Sequence, residues 1–394
     1  MICRDNVEKC LKEFGRFLVT VFCLVWIKLL VHGAVILVFH DYLANHKFYL
    51  DAGMIYIYYD SVAGSWIPDK LGDGFSNIAR FYRLVFLNKN MTQQVFYLAC
   101  SLVYVAVYHL MVLQLPLKNK RKFFLFSMVF IFDAVYLFQP SKEITALLLS
   151  ILVLQQIKRS SRWRNAWIML FFLIYAVVFR IYYVILLCFY AIYLIYCKNK
   201  KLAGLLTLTG FVLFCILFEQ GYLPKLVEAK IIVEDANTAL TDLFTKEQMS
   251  DHVFLYLLNY AVMVIRLIFP VEIIVKSPSR AVLFLPVYWY MLFEVVRCMW
   301  GLWAGRDRER HSNRAVLSRG RRKRLDVVVI ICSHILTSAF FEPDFGSYLR
   351  HVVGILPFYY YIMFCGPKSG GAFFPKKAQR NDTVTFPAHA TQSD

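Results

Sequence analysis

The chain has 394 residues, 59% of them apolar and 17% aromatic, with only 18% charged. Soluble globular proteins sit nearer ~45–50% apolar, so the composition argues against a water-soluble protein. Lys and Arg outnumber Asp and Glu by 44 to 26, yet the cations lie in loops between apolar runs, so no nucleic-acid partner is expected.

In chain order, the candidate spans cover about 17–39, 95–115, 123–138, 143–157, 165–179, 181–196, 202–218, 282–303, 326–341 and 352–365. The expected fold class is therefore all-α, a polytopic helical membrane protein with about ten transmembrane helices. The first run is too long for a signal-peptide core and no small-residue cleavage site follows it, so it is read as retained. Ten cysteines fall mostly inside apolar runs, among them Cys23, Cys100, Cys188, Cys215 and Cys332, while the loops 41–94 and 219–252 contain none. No disulfide framework is expected.

The segment 253–275 is long enough to cross but carries Arg266, Pro270 and Glu272. The positive-inside rule decides it. With ten spans, both termini cytoplasmic and 253–275 not crossing, the inner side collects 28 Lys and Arg against 14 outside, nine of them in the basic inner loop 305–324. If 253–275 crosses, the inner count falls to 18. The segment is thus expected to be re-entrant or interfacial and to return to the outer face, where irregular backbone must be buried in protein or line a wet cavity.

One integral membrane domain is expected over 1–367, with outer loops 41–94 and 219–281, followed by a disordered cytoplasmic tail over 368–394. In 219–252, Leu226, Val233, Ala236, Leu240, Leu243 and Phe244 recur at helical steps among charges, which predicts an amphipathic helix lying on the outer leaflet or on the protein's own surface. The loop 41–94 carries the turn Leu71-Gly72-Asp73-Gly74 and the aromatic stretch Ile78–Leu84.

Ionisable groups at membrane depth need a partner or a task. Lys28 and His32 lie on one face of the first span, Asp133 in the third and Glu294 in the eighth. Internal pairing, such as Lys28 with Glu294 or Glu294 with Arg297, accounts for them, and Arg297 can also snorkel. At the outer ends of spans lie Ser141-Lys142-Glu143, the turn Arg180-Ile181-Tyr182-Tyr183, Arg266 with Glu272, Glu342-Pro343-Asp344 and Tyr348-Leu349-Arg350-His351. Taken singly, each cation reads as an interface anchor. Together, Lys142, Arg180, Arg266 and Arg350 face one compartment among Tyr182, Tyr183 and Tyr348, and an arginine cage of this kind suits pyrophosphate oxygens.

The ten-span layout, the long first outer loop, Ser141–Glu143, Arg180–Tyr183, Ile265–Glu272 and the Tyr348–His351 run with the later Pro357 resemble bacterial capsular, exopolysaccharide or O-antigen repeat-unit polymerases of the Wzy and EpsG kind. These are similar in architecture to membrane glycosyltransferases of the GT-C type. The resemblance implies a bacterial cytoplasmic-membrane protein. It would transfer a glycan from an undecaprenyl-pyrophosphate carrier to a sugar hydroxyl at the outer face, with membrane lipid, the lipid-linked glycan and other polysaccharide-assembly proteins as partners.

Such a reaction needs cations on the leaving pyrophosphate, for which Arg180, Arg266 and Arg350 qualify, and a base for the acceptor proton. Asp51, Asp60, Glu143, Glu272, Asp344 and His351 all qualify as that base, and Asp51 and Asp60 read equally well as solvated loop charges. Some transferases of this architecture bind a metal through an acidic pair spaced by one residue in the first outer loop. No such pair occurs in 41–94 and Glu342-x-Asp344 lies in the last outer loop, so no metal is expected. With no Walker loop, dinucleotide fingerprint or zinc-spaced Cys/His set, no other cofactor is expected. The alternative function is a lipid-linked oligosaccharide flippase with Lys28, His32, Asp133 and Glu294 lining its path, although no duplicated halves are seen.

Overall fold

The structure is a computed structural model, and it describes residues 15, 22–23, 25–45, 50–61, 73–86, 90–115, 117, 119–159, 161–221, 252–276, 278–304, 314–341 and 345–365. The readings of 226–244 as a helix, of Glu342–Asp344 as a candidate site, of the first part of the basic loop and of the tail fall outside these residues.

Among the described residues the protein is helical throughout, with no strand. The helices are α1 (Val25–Val38), α2 (His40–Asn45), α3 (Leu50–Ser61), α4 (Gly74–Phe86), α5 (Gln93–Gln114) and α6 (Lys120–Val129). Next come α7 (Phe132–Leu137), α8 (Glu143–Lys158), α9 (Arg164–Val178), α10 (Tyr183–Tyr196) and α11 (Lys200–Glu219). The last six are α12 (Val253–Ile268), α13 (Val271–Lys276), α14 (Pro278–Ala304), α15 (Arg314–Phe341), α16 (Phe345–Gly354) and α17 (Leu356–Cys365).

Among the described residues, three helices are long and apolar enough to cross a membrane: Gln93–Gln114, Lys200–Glu219 and Gly320–Phe341 within α15. Two expected spans are split. The run 123–138 divides at Phe130–Ile131 into α6 and α7, and 352–365 divides at Ile355 between α16 and α17. Continuous apolar composition cannot distinguish one crossing from two short helices joined at a kink, which explains the mismatch. The described residues of 41–94 form α2, α3 and α4. Asp73 explains the start of α4, since its Oδ1 accepts the backbone N–H groups of Phe75 and Ser76 and so caps the first turn. Ile78, Ala79 and Tyr82 form its buried side, and Arg83 reaches back to the Asp60 carbonyl of α3 at 3.0 Å.

α8 is the hub. Its Leu, Ile and Val residues point in all directions, nearly every face is buried, and it packs on α5, α7, α9, α15, α16 and α17. α11 is its opposite, with only Ala203 and Phe218 buried, while Leu202, Leu205, Leu208, Phe211, Leu213 and Ile216 face outward. Ionisable side chains show the reverse distribution. Lys28, Asp133, Glu143, Arg180, Glu294 and Asp326 are all buried.

The break between α6 and α7 shows how such charges are accommodated. A broken helix frees carbonyls that need donors, and α1 supplies them. Lys28 donates to the Ser127 carbonyl at 2.8 Å and to Asp133 Oδ1 at 3.0 Å, and His32 Nε2 donates to the Met128 carbonyl at 3.0 Å. Lys28 also donates to His32 Nδ1, and Tyr104 donates to Asp133 Oδ2. Lys28 therefore pairs with Asp133 rather than with Glu294, which takes Arg297 and Lys122. Lys28→Met leaves Asp133 buried and unpaired and should cost about 3–5 kcal/mol. Adding Asp133→Asn should recover most of that loss, and thermal unfolding of the two variants in detergent checks both outcomes.

Candidate functional site

The site is assembled at the start of α8, and helix packing fixes its parts. A Cβ on Gly354, the last residue of α16, would lie 2.6 Å from Ala146 Cβ, and Ser150 Oγ donates to the Gly354 carbonyl at 2.7 Å. The bare glycine lets α16 press against α8. Moving one turn toward the start of each helix leads from Ala146 to Glu143 and from Gly354 to Arg350 and His351. The first turn of α8 thus meets the C-terminal half of α16, and Glu143 stands where the positive end of its own helix dipole favours an acidic side chain.

The floor of the site is an ion pair. Arg180, in the turn between α9 and α10, places NH2 2.6 Å from Glu143 Oε1, and the two side chains are 5% and 1% exposed. Its NH1 donates to the Tyr182 hydroxyl at 2.8 Å and to His351 Nδ1. Because an arginine nitrogen can only donate, His351 Nδ1 is an acceptor here and the ring carries its proton on Nε2. The Glu143 N–H is held by Ser141 Oγ at 3.1 Å, and Ser141's own backbone exchanges hydrogen bonds with the Tyr82 hydroxyl. Glu143 Oε2 is buried and has no hydrogen-bond partner among the described residues.

Above the floor lies a more open layer. Asp51 Oδ2, from the first turn of α3, is 3.1 Å from Lys142 Nζ and 2.9 Å from Arg350 NH1. Arg350 Nε also approaches Glu143 Oε1 at 3.4 Å, joining the two layers. Side-chain exposures of 16% for Lys142 and 26% for both Asp51 and Arg350 make these the groups an incoming molecule can reach. Lys142 lies over the Phe75 ring at 3.8 Å, and a Cβ on Gly74 would crowd the lysine stem at 3.3 Å, so the start of α4 forms one wall. Burial tends to raise the Asp51 carboxyl, but Arg350 and then Lys142 outweigh it and hold the group below its usual range. Burial lowers Lys142, and Arg350 and Arg180 push the same way against Asp51, bringing its ammonium down to about 8. With His351 neutral, three cations face two carboxylates and the site keeps one positive charge.

Of the residues singled out in the sequence, Asp51, Lys142, Glu143, Arg180, Tyr182, Arg350 and His351 come together. The others lie elsewhere. Arg266 pairs with Glu272 across the break at Phe269–Pro270, so the expected four-cation cage contains three of its members. The Asp60 carboxylate is exposed. Tyr348 is wholly buried, with its hydroxyl receiving a hydrogen bond from Tyr288 at 3.2 Å. Tyr183 is also buried, its ring 4.6 Å from Tyr175. Asp344 lies outside the described residues. Sequence reasoning missed Phe75, Tyr82 and Gly354. The Asp73-Gly74 turn marked the neighbourhood of Phe75 and the aromatic stretch Ile78–Leu84 that of Tyr82, but nothing local marked Gly354. Comparison of the chain with protein-family models, with curated proteins and with solved structures gives no match.

Gly354→Val should force α16 away from α8 and destabilise the protein by about 1–3 kcal/mol through overpacking, with a lower unfolding midpoint and weaker oxyanion binding as the readouts. Lys142 is charged below about 8 and neutral above it, so affinity for inorganic pyrophosphate should fall as pH rises through that value. Lys142→Arg, which keeps its charge, should abolish that part of the pH dependence in titration calorimetry.

Proposed function

We propose that the chain is a multi-pass protein of the bacterial cytoplasmic membrane, with about ten crossings and both termini inside. In this reading it transfers or polymerises glycan repeat units carried on undecaprenyl pyrophosphate at the outer face. The membrane part is supported by three helices of sufficient length and apolarity and by apolar side chains facing outward while ionisable ones face inward, the distribution expected where the surrounding solvent is hydrocarbon.

One observation carries the glycosyl-transfer part. Lys142, Asp51 and Arg350, drawn from three distant parts of the chain, form a partly open cation–carboxylate–cation row above the sealed Arg180–Glu143 pair. The two outer cations would hold the leaving pyrophosphate. The acceptor oxygen attacks the anomeric carbon, the carbon–oxygen bond to phosphate breaks with its electron pair going to the pyrophosphate, and Asp51 takes the acceptor proton. Among the candidate bases within the described residues, Asp51 alone is both partly exposed and between the open cations. Glu143 is sealed, and His351 Nδ1 is occupied by Arg180. Arg180, Tyr182, Glu143 and His351 are positioning residues. The transporter alternative draws no specific support, since Lys28 and Asp133 are closed on each other at 1% and 0% exposure.

In cells that depend on this chain, Arg350→Ala or Asp51→Asn should reduce polymer formation at least a hundredfold while the protein still inserts. Single lipid-linked repeat units should then accumulate on the outer leaflet. Polymer of normal length in both variants would remove the site, and repeat units stranded on the inner leaflet would favour the transporter.

A further inference from the structure

A second polar feature lies away from this site, where the start of α6 faces the middle of α14. A groove of about 510 Å³ runs between them, within the ~300–1,000 Å³ range of small-molecule sites. Its walls include Leu125, Phe126, Val129, Pro286 and Val287, and Asn119, Arg121 and Lys122 stand along its edge. Pro286 lies inside α14, where a proline lacks the N–H that would close a helical bond.

Three observations point to an anionic occupant with an apolar body. First, Arg121 is exposed and has no hydrogen-bond or ion-pair partner among the described residues. Second, Lys122 is 3.5 Å from Glu294 and lies over the Tyr290 ring at 5.1 Å, and Glu294 is also held by Arg297. Lys122 and Arg297 thus share the one carboxylate of Glu294, and Arg121 stands beside Lys122 on the same edge of the groove. Third, the Tyr290 hydroxyl, which lines the groove, is shielded from solvent and has no hydrogen-bond partner among the described residues. Asn119 carries no charge, and its side-chain oxygen accepts the Lys122 N–H at 2.9 Å.

We propose that this groove binds one anionic phospholipid of the inner leaflet, with an acyl chain against Leu125, Val129 and Val287 and the phosphate between Arg121 and Lys122. The inference rests on the membrane placement above, which puts this end of α6 on the cytoplasmic side, where anionic headgroups and basic segments attract one another. It does not depend on the glycosyl-transfer chemistry.

The test exposes the detergent-purified protein to equal amounts of phosphatidylglycerol and phosphatidylcholine with matched chains and counts retained lipid by native mass spectrometry. The wild type should retain phosphatidylglycerol about tenfold over phosphatidylcholine, the lower end of what charge-assisted hydrogen bonds provide. Arg121→Ala with Lys122→Gln should bring the two lipids to near parity, and Arg350→Ala should leave the preference intact. Equal retention by the wild type, which indicates an apolar crevice alone, would overturn the proposal. So would a preference that survives the double variant, or one that Arg350→Ala removes, which would locate the lipid at the outer site. If the double variant fails to fold, Arg121→Glu alone, on an exposed side chain, decides between the same outcomes.

Discussion

The site rests on the ion pair between Arg180 and Glu143. Both side chains are almost completely out of solvent, and a buried pair is tolerated only when its geometry is good and its remaining groups find partners. Arg180 meets that condition by spreading its donors over Glu143, Tyr182 and His351. The pair then determines the rest. Lys142 is the residue before Glu143, Tyr182 follows Arg180 by two positions, and Arg350 approaches the same Glu143 oxygen. The start of α8, the α9–α10 turn and α16 are therefore tied together at one oxygen atom.

Pairs of the same kind recur through the bundle. Lys28 joins α1 to the α6–α7 break, Glu294 joins α14 to α6 through Lys122, and Asp326 joins α15 to α9 and α10 through Arg164 at 2.8 Å and the Tyr193 hydroxyl at 3.0 Å. Between helices surrounded by hydrocarbon, apolar contact alone gives little preference for one neighbour over another, so close packing and polar ties set the arrangement. The close approach of Gly354 to Ala146 and the four ion-pair junctions do this together. α11, which has no such tie among the described residues, meets its neighbours on a narrow strip and leaves its leucines outside.

The helical character of the chain was legible in its long apolar runs, and the helices from α8 to α11 begin and end close to where those runs do. The breaks were not. Phe130–Ile131 carries neither proline nor glycine, and its backbone is satisfied by Lys28 and His32 about a hundred residues earlier, a tertiary cause invisible to local reading. At the site, Ser141–Glu143 and Arg180–Tyr182 could be read because charges at the ends of apolar runs demand a reason. Asp51 could not be ranked above Asp60. They differ only in whether α3 turns them toward Lys142 and Arg350, and that depends on how α3 packs. Arg266 misled because topology assigns a side of the membrane and not a lateral position, and its neighbour Glu272 satisfies it locally.

The division between closed floor and open row has a consequence for the proposed chemistry. Asp51 is the counterion of Lys142 and Arg350, which hold it ionised but make it a weak base. A pyrophosphate that engages those two cations takes over the role of Asp51. The carboxylate then loses the charges that depress it, while burial continues to raise its proton affinity. Its basicity therefore increases when the donor is seated, which is when an acceptor proton has to be removed. Arg180 could not serve in place of either outer cation, because moving it would take from the buried Glu143 the guanidinium that lies 2.6 Å from it. The reactive charges are therefore the ones the fold can afford to exchange, and the ones it cannot exchange lie beneath them.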